Sequence, residues 1–326
     1  MCNKRHILLI VTAFVFAALS KAQTSVFDFL DLPVSSYAAA LGGRNVSITD
    51  PEPALLNNNP ALLANIPERM VSLDLMSFIA ATRLAGAQFC NLVGERSAYA
   101  VSIRYSDYGS FRETSSDNNE TGVFSAKDIA LGGTFNFLFN TYWSGGVTGR
   151  IIYSRYSYYT SVAIGVDLGL NYYDPIKQLS FGIAMTNLGG QIKAFEYTHE
   201  PLPVNVTAGV SWSLEHAPVR LSLTLDNLNR WSVDYFYNTD NTTPGFGKIL
   251  MKHFVLGADI SLSDQLYVAV GYNHRRRTEL SVKGARGLEG FSIGTGLKLK
   301  KIMFGLSFGK YQVSKSSLLF NFAVSI

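Results

Sequence analysis

The sequence predicts an all-β fold: a transmembrane antiparallel β-barrel of about 14 strands with an N-terminal plug. Three observations predict it. Hydrophobic residues make up 47% of the 326-residue chain and aromatics 13%, while charged residues are only 16%, below the quarter or so usual in soluble domains. After residue 22 no apolar run reaches the roughly 18 residues a membrane helix needs. From Arg69 to the end, apolar residues alternate with small or polar ones, the period of a strand with two unlike faces. An apolar exported chain without spanning helices has one other way to satisfy its backbone in lipid, a closed barrel.

Export is read from the first residues. Lys4, Arg5 and His6 form a basic start, Ile7 to Leu19 is apolar apart from Thr12, and Ser20-Lys21-Ala22 offers small residues for cleavage before Gln23. That order predicts a secretory signal peptide over residues 1–22. Cys2 falls within it, which leaves Cys90 as the one cysteine of the mature chain. No internal disulfide and no Cys-rich metal site are then expected. The net charge of +4 is too modest to suggest nucleic acid.

The barrel is expected over residues 69–326. Val204, Val206, Ala208, Val210, Trp212 and Leu214 share one parity; Asn205, Thr207, Gly209, Ser211 and Ser213 share the other. The same division holds for Phe254 to Ser263 and for Ile164 to Asn171. The Gly- and Ser-rich second face and the length of the segments favour a membrane barrel over a sandwich. The predicted strands are Arg69–Ala80, Arg83–Val93, Ser97–Arg112, Gly122–Phe137, Tyr142–Ser157, Thr160–Tyr173, Lys177–Leu188, Pro203–Leu214, Pro218–Arg230, Leu250–Leu262, Leu266–Arg276, Glu289–Lys300, Lys301–Tyr311 and Lys315–Ile326.

Alternate connections are tight: Gly94-Glu95-Arg96, Phe139-Asn140-Thr141, Asp174-Pro175-Ile176, Glu215-His216-Ala217, Ser263-Asp264-Gln265 and Lys300-Lys301. The intervening ones include every long connection, 113–121, 189–202, 231–249 and 277–288. Short periplasmic turns facing longer outer loops are the outer-membrane arrangement, and they place both barrel ends in the periplasm. Tyr153, Tyr156, Tyr172, Tyr173 and Tyr235 lie near strand ends, where amphipathic rings settle at the lipid–water boundary.

Residues 23–68 break this pattern. Pro33, Pro51, Pro53, Pro60 and Pro67 exclude regular strands, and a short helix is expected from Ser35 to Leu41. A barrel of this size encloses a lumen, and the segment is read as its plug.

The chemistry-bearing patterns point away from catalysis. Gly290-Phe291-Ser292-Ile293-Gly294 and Gly305-Leu306-Ser307-Phe308-Gly309 both match Gly-x-Ser-x-Gly. A hydrolase elbow needs a strand, a sharp turn and a helix, whereas both matches sit inside alternating strands with serine on the lumen face. His199, His216, His253 and His274 show no metal-ligand spacing. No catalytic, metal or cofactor residue is assigned. Arg104, Arg150, Asp167, Arg220, Asp226 and Asp259 fall on the lumen face, where pairing around the plug outweighs a polar permeation path. The run His274-Arg275-Arg276-Arg277 falls in an outer loop; Arg275, Arg276 and Arg277 are candidate contacts for lipopolysaccharide or a protein partner.

One resemblance is specific. Phe29-Leu30-Asp31-Leu32-Pro33, then Ala38-Ala39-Ala40-Leu41-Gly42-Gly43, then Asn58-Asn59-Pro60-Ala61-Leu62-Leu63 follow in an order that resembles the PorQ proteins of the Bacteroidetes type IX secretion system, relatives of PorV and of the fatty-acid-transporter barrels. The motif residues are Gly42, Gly43, Asn59, Pro60 and Ala61. Pro51 and Pro53 flank Glu52 where the family has a plainer acidic run. The resemblance implies a non-enzymatic subunit of the surface attachment complex. It would work beside a PorV-like barrel and a sortase-like protease, and would anchor a PorZ-like partner for cargo processing and attachment to anionic lipopolysaccharide in the outer membrane. The alternative is a transporter of long-chain fatty acids or other hydrophobic compounds, since the fold is shared. That alternative needs an apolar groove near the plug and a kinked strand, with Gly132-Gly133, Gly145-Gly146 and Gly189-Gly190 as candidate bends.

Overall fold

The computed structural model describes residues 25–78, 82–114, 119–232, 245–280, 288–311 and 316–326, so the expected signal peptide lies outside the described residues. Fourteen strands close into a barrel in which each pairs antiparallel with the next and β1 closes on β14. They are β1 (Met70–Ser77), β2 (Arg83–Val93), β3 (Ser97–Thr114), β4 (Glu120–Leu138), β5 (Trp143–Tyr156), β6 (Tyr159–Asp174), β7 (Leu179–Lys193), β8 (Asn205–Ser213), β9 (Val219–Leu225), β10 (Phe254–Ser261), β11 (Leu266–Asn273), β12 (Phe291–Lys298), β13 (Ile302–Gly309) and β14 (Ser317–Ser325). The closing register runs from Met70 opposite Ser325 to Ser77 opposite Leu318, which removes the free edge a sheet would otherwise expose to lipid.

The polarity of the wall is inverted relative to a soluble barrel. Leu75, Ile151 and Ile183 are 57%, 58% and 56% exposed, while their inward neighbours Asp74 and Arg150 are 3% and 5% exposed. Apolar side chains facing outward around a closed wall need a hydrocarbon surround. No helix among the described residues is long and apolar enough to cross a membrane. The crossing is made by strands.

Several strand ends differ from expectation, each for a local reason. The strand expected from Leu250 begins at Phe254, because helix α2 (Phe246–Lys252) occupies the approach. The strand expected to reach Arg276 stops at Asn273, whose side chain accepts the Arg276 backbone N–H at 3.0 Å and caps helix α3 (His274–Glu279). The strand expected to reach Arg230 ends at Leu225. β7 instead runs past Leu188 to Lys193, through a bulge where Asn187 takes φ +61° and donates its backbone N–H to Asp167 at 2.7 Å. Gly132-Gly133 and Gly145-Gly146 lie in a β4–β5 ladder without a register shift. The wall therefore has two unequal halves: β3 to β7 span 14 to 19 residues each, and β8 to β14 span seven to nine.

Residues 25–69 pack against the inward faces of the strands. Short 3-10 turns at Asp28–Asp31, Pro53–Asn57 and Pro60–Asn65 and helix α1 (Ser36–Ala40) carry the chain, with Ser35 capping α1 through the Ala38 N–H at 3.0 Å. The segment is apolar enough to form core with the wall: Tyr37, Leu41, Ile48, Leu55 and Leu62 cluster with Tyr267 and Ala269.

Candidate functional site at the outer mouth

The inward segment is held by fitted backbone and by charge. Glycines on the wall leave room for it. A Cβ at Gly146 would lie 2.4 Å from the Pro60 carbonyl carbon, one at Gly169 would lie 2.0 Å from Asn59 Oδ1, and one at Gly271 would lie 2.1 Å from the Gly42 nitrogen. Asn59 donates to the carbonyls of Val46 (2.8 Å) and Leu170 (3.3 Å) and accepts the Ala61 N–H (3.0 Å). Asn136 and Ser144 donate to the Ala61 carbonyl at 3.0 and 3.1 Å. Gly42 and Gly43 take φ of +107° and +108°, a turn that L side chains rarely adopt, and Asn273 donates to the Gly42 carbonyl at 3.2 Å. The five motif residues thus lie at contacts between the inward segment and the wall.

The lumen charges converge on the same segment. Arg104 donates to three carbonyls of one turn, Phe29 (2.8 Å), Leu30 (3.0 Å) and Leu32 (3.0 Å), a charge-assisted clamp with no carboxylate in it. Arg150 pairs with Asp167 at 2.7 Å. Arg44, from the inward segment, meets Asp31 at 3.1 Å and Asp226 at 3.6 Å. Asp50 meets both Arg220 and Lys298, and Arg220 also holds Asp259 at 3.1 Å. Burial alone would raise the Asp50 carboxyl, but Arg220 and Lys298 outweigh it and hold the group below the usual carboxylate range. For Glu52 burial prevails over a hydrogen bond from Ser35 and the more distant Lys298, and pushes it up to about 7.

Above this packed interior the mouth is hollow on two sides. The long-loop end, which is the outer side in barrels of this class, carries an apolar cavity of about 530 Å³ against the long half of the wall. Its floor is Val26, Asp28, Phe29 and Leu32 of the inward segment; its wall is Phe78, Thr82, Leu84, Tyr108, Phe111, Phe124, Ala126 and Tyr156. The wall exists because of one irregularity. Between Asp107 and Ser110, β3 gains a residue over β4, with Gly109 at φ +81°. The extra residue reverses parity, so Phe111 lies opposite inward Phe124 and stacks on it at 5.4 Å. Tyr108 and Tyr156 both donate to Asp128, at 2.6 and 3.1 Å, which fixes their rings at the edge.

The second hollow, about 480 Å³, is polar and lies over the short half, between Asp31, Arg44, Asp226, Asn273, Arg276 and Tyr311. The arginine run sorts itself here. Arg276 turns inward over the Tyr311 ring at 4.3 Å, beside Gly43. Arg275 pairs with Glu279 and Arg277 with Glu289, each at 3.0 Å, and both remain partly exposed.

Neither Gly-x-Ser-x-Gly serine is arranged for attack. Ser292 donates to the Ala40 carbonyl at 2.8 Å, and Ser307 is buried on the inward face. Among the described residues no group of three or more His, Cys, Asp or Glu is placed to hold a metal. Sequence reasoning missed Arg44 and Asp50, which pair with Asp226 and Lys298 of the wall, and Asp31, which pairs with Arg44 within the inward segment. It also missed the aromatic cavity, for which Gly109 inside an alternating run was the available signal.

No protein-family model and no curated protein matches the chain. Solved structures do. The toluene transporter TodX of Pseudomonas putida superimposes with a TM-score of 0.57 at 14% identity, covering 92% of this chain and 98% of that one. The toluene transporter TbuX of Ralstonia pickettii gives 0.56 at 15%, over 90% and 96%. A FadL homologue of Pseudomonas aeruginosa gives 0.55 at 11%, over 89% and 97%. At these identities the likeness is one of fold. The chain has the closed fourteen-strand barrel of the FadL-like outer-membrane proteins, and its lipid-facing belt places it in that membrane.

Proposed function

We propose that the chain takes up small hydrophobic compounds at the outer mouth of the barrel. The apolar cavity of about 530 Å³ carries this reading, because its floor is the inward segment itself and its walls are almost wholly hydrocarbon. A concave apolar site at the water-facing end of a barrel is where such a compound gains most by leaving water. The transport of toluene by fold-mates of this chain supports the reading. The clamp from Arg104 to Phe29, Leu30 and Leu32 ties the cavity floor to β3, so passage inward requires those bonds to open.

The test is retention of tritiated toluene and tritiated oleate by the purified barrel, compared with Ala126→Trp, which fills the cavity. Saturable retention that drops at least tenfold in the variant is the expected result. No retention by the unaltered protein would remove the reading.

A second reading is favoured by the ordered motif, whose residues seat the segment that closes the lumen. It is the non-enzymatic attachment subunit of a type IX secretion system, holding a PorZ-like protein beside a PorV-like barrel and a sortase-like protease. Arg275 and Arg277 would be its outer contacts. Mild-detergent purification from the native membrane followed by mass spectrometry distinguishes the two. Recovery of those three proteins supports attachment; recovery of the barrel alone supports uptake.

A further inference from the structure

Among the described residues that line the apolar cavity at the mouth, one carries a formal charge, and it is an acid. Asp28 opens the 3-10 turn Asp28–Asp31. Its neighbours Phe27 and Phe29 are buried and seat the turn, while its own side chain is accessible and borders both the apolar cavity and the polar hollow. At the other end of the turn Asp31 is paired with Arg44 at 3.1 Å, whereas Asp28 has no ion pair of its own among the described residues. Partial enclosure raises the Asp28 carboxyl to about 6, and Asp31 adds to the rise; Arg230, Arg275 and the Ser25 backbone N–H act the other way. A carboxylate short of both water and counter-charge gains when a cation arrives.

The rest of the lining suits the same kind of guest. Six aromatic rings surround the space: Phe29, Phe78, Tyr108, Phe111, Phe124 and Tyr156. The two phenol groups are committed elsewhere, because Tyr108 and Tyr156 donate to Asp128 at 2.6 and 3.1 Å. Phe111 stacks on Phe124 at 5.4 Å. The cavity therefore meets these residues as rings, and ring faces attract cations as well as hydrocarbon. No lysine, arginine or histidine lines it among the described residues. Arg104 binds the carbonyls of Phe29, Leu30 and Leu32, so its charge is already engaged with the floor.

We propose that the cavity selects hydrophobic ammonium compounds, with the aromatic or alkyl body among the rings and the ammonium on the Asp28 carboxylate. This rests on the uptake reading and names the substrate class of that same site. A neutral hydrocarbon gains from the rings alone. A carboxylate of the same shape gains no more from the rings and meets Asp28 and Asp31 at the rim, so like charge excludes it. The ammonium gains twice, from the rings and from an ion pair that leaves Asp28 better compensated than before.

The test is retention by the purified barrel at pH 8 of three tritiated probes with one body: 4-phenylbutylamine, butylbenzene and 4-phenylbutyrate. At that pH the amine is charged and Asp28 is ionised. Ala126→Trp, which fills the cavity, gives the uptake due to detergent alone. The amine should be retained about tenfold better than butylbenzene, and 4-phenylbutyrate least. Asp28→Asn should bring the amine down to butylbenzene while leaving butylbenzene unchanged, and Asp28→Glu should keep the preference. Resistance to unfolding in sample buffer without heat confirms that each variant is a closed barrel. Equal retention of amine and carboxylate by the unaltered protein, or a preference that survives Asp28→Asn, would overturn the selection and leave hydrocarbon uptake standing. No specific retention of any probe would overturn both.

Discussion

The two halves of the barrel hold the same inward segment by different means. The long half, β3 to β7, grips it with neutral groups and carbonyls: Asn136 and Ser144 on Ala61, Asn59 on Leu170, Arg104 on three carbonyls of the Phe29–Leu32 turn. The short half, β8 to β14, makes carbonyl contacts as well, Asn273 on Gly42 and Ser292 on Ala40, and adds opposite charges, Asp50 between Arg220 and Lys298 and Arg44 against Asp226. The long half also rises beyond the packed interior and walls an apolar hollow, whereas the short half ends in two helices over a polar one. Carbonyl contacts can be exchanged for water one at a time, while buried charges fail together. The charge pairs make the short side the firmer anchor of the inward segment.

Breaking the anchor should have the largest effect. Arg220→Ala leaves Asp50 and Asp259 buried with one of their cations gone, and should cost about 3–5 kcal/mol in urea unfolding from detergent. Arg104→Ala should cost less, about 2–3 kcal/mol. Its signature is local, with faster amide exchange at Phe29 to Leu32 and unchanged exchange around Asp50. Uniform exchange across both regions would show that the halves do not act separately.

Glu52 sharpens the comparison through pH. Its carboxyl is raised from the ordinary value to about 7, first by burial. The folded protein therefore favours the neutral acid. That stability is present below the unfolded value near 4.5 and is lost as pH rises through about 7, with a limit of about 3 kcal/mol. Glu52→Gln should remove this contribution, seen as a smaller difference between the urea midpoints at pH 5 and pH 8 than in the unaltered protein. A smaller effect is expected at the rim, where Arg112 and Glu120 pair with 75% and 60% of their side chains exposed. Arg112→Ser should change stability by less than about 0.5 kcal/mol.

Much of the wall was legible because membrane barrels obey a strict period of two. Arg83–Val93 ends where alternation ends, and the fourteen segments follow from it. Misread boundaries fall where a local rule outranks the period. Asn273 can cap a helix as readily as continue a strand, and the residues after it form α3. Asn187 tolerates a positive φ, which let β7 bulge and continue. The candidate site was less legible. The pairs Arg44–Asp31 and Asp50–Lys298 join residues 13 and 248 positions apart, and no periodicity relates them. The cavity depends on the single extra residue before Ser110, which turns Phe111 from the outer face to the inner one.

The most direct test of the account is the position of a bound heavy-atom hydrocarbon. Crystals of the barrel soaked in bromobenzene should show an anomalous bromine peak among Phe29, Phe111, Phe124 and Tyr156, and that peak should vanish in Ala126→Trp. Bromine found only against the outer wall, with the mouth cavity empty, would contradict uptake through this site.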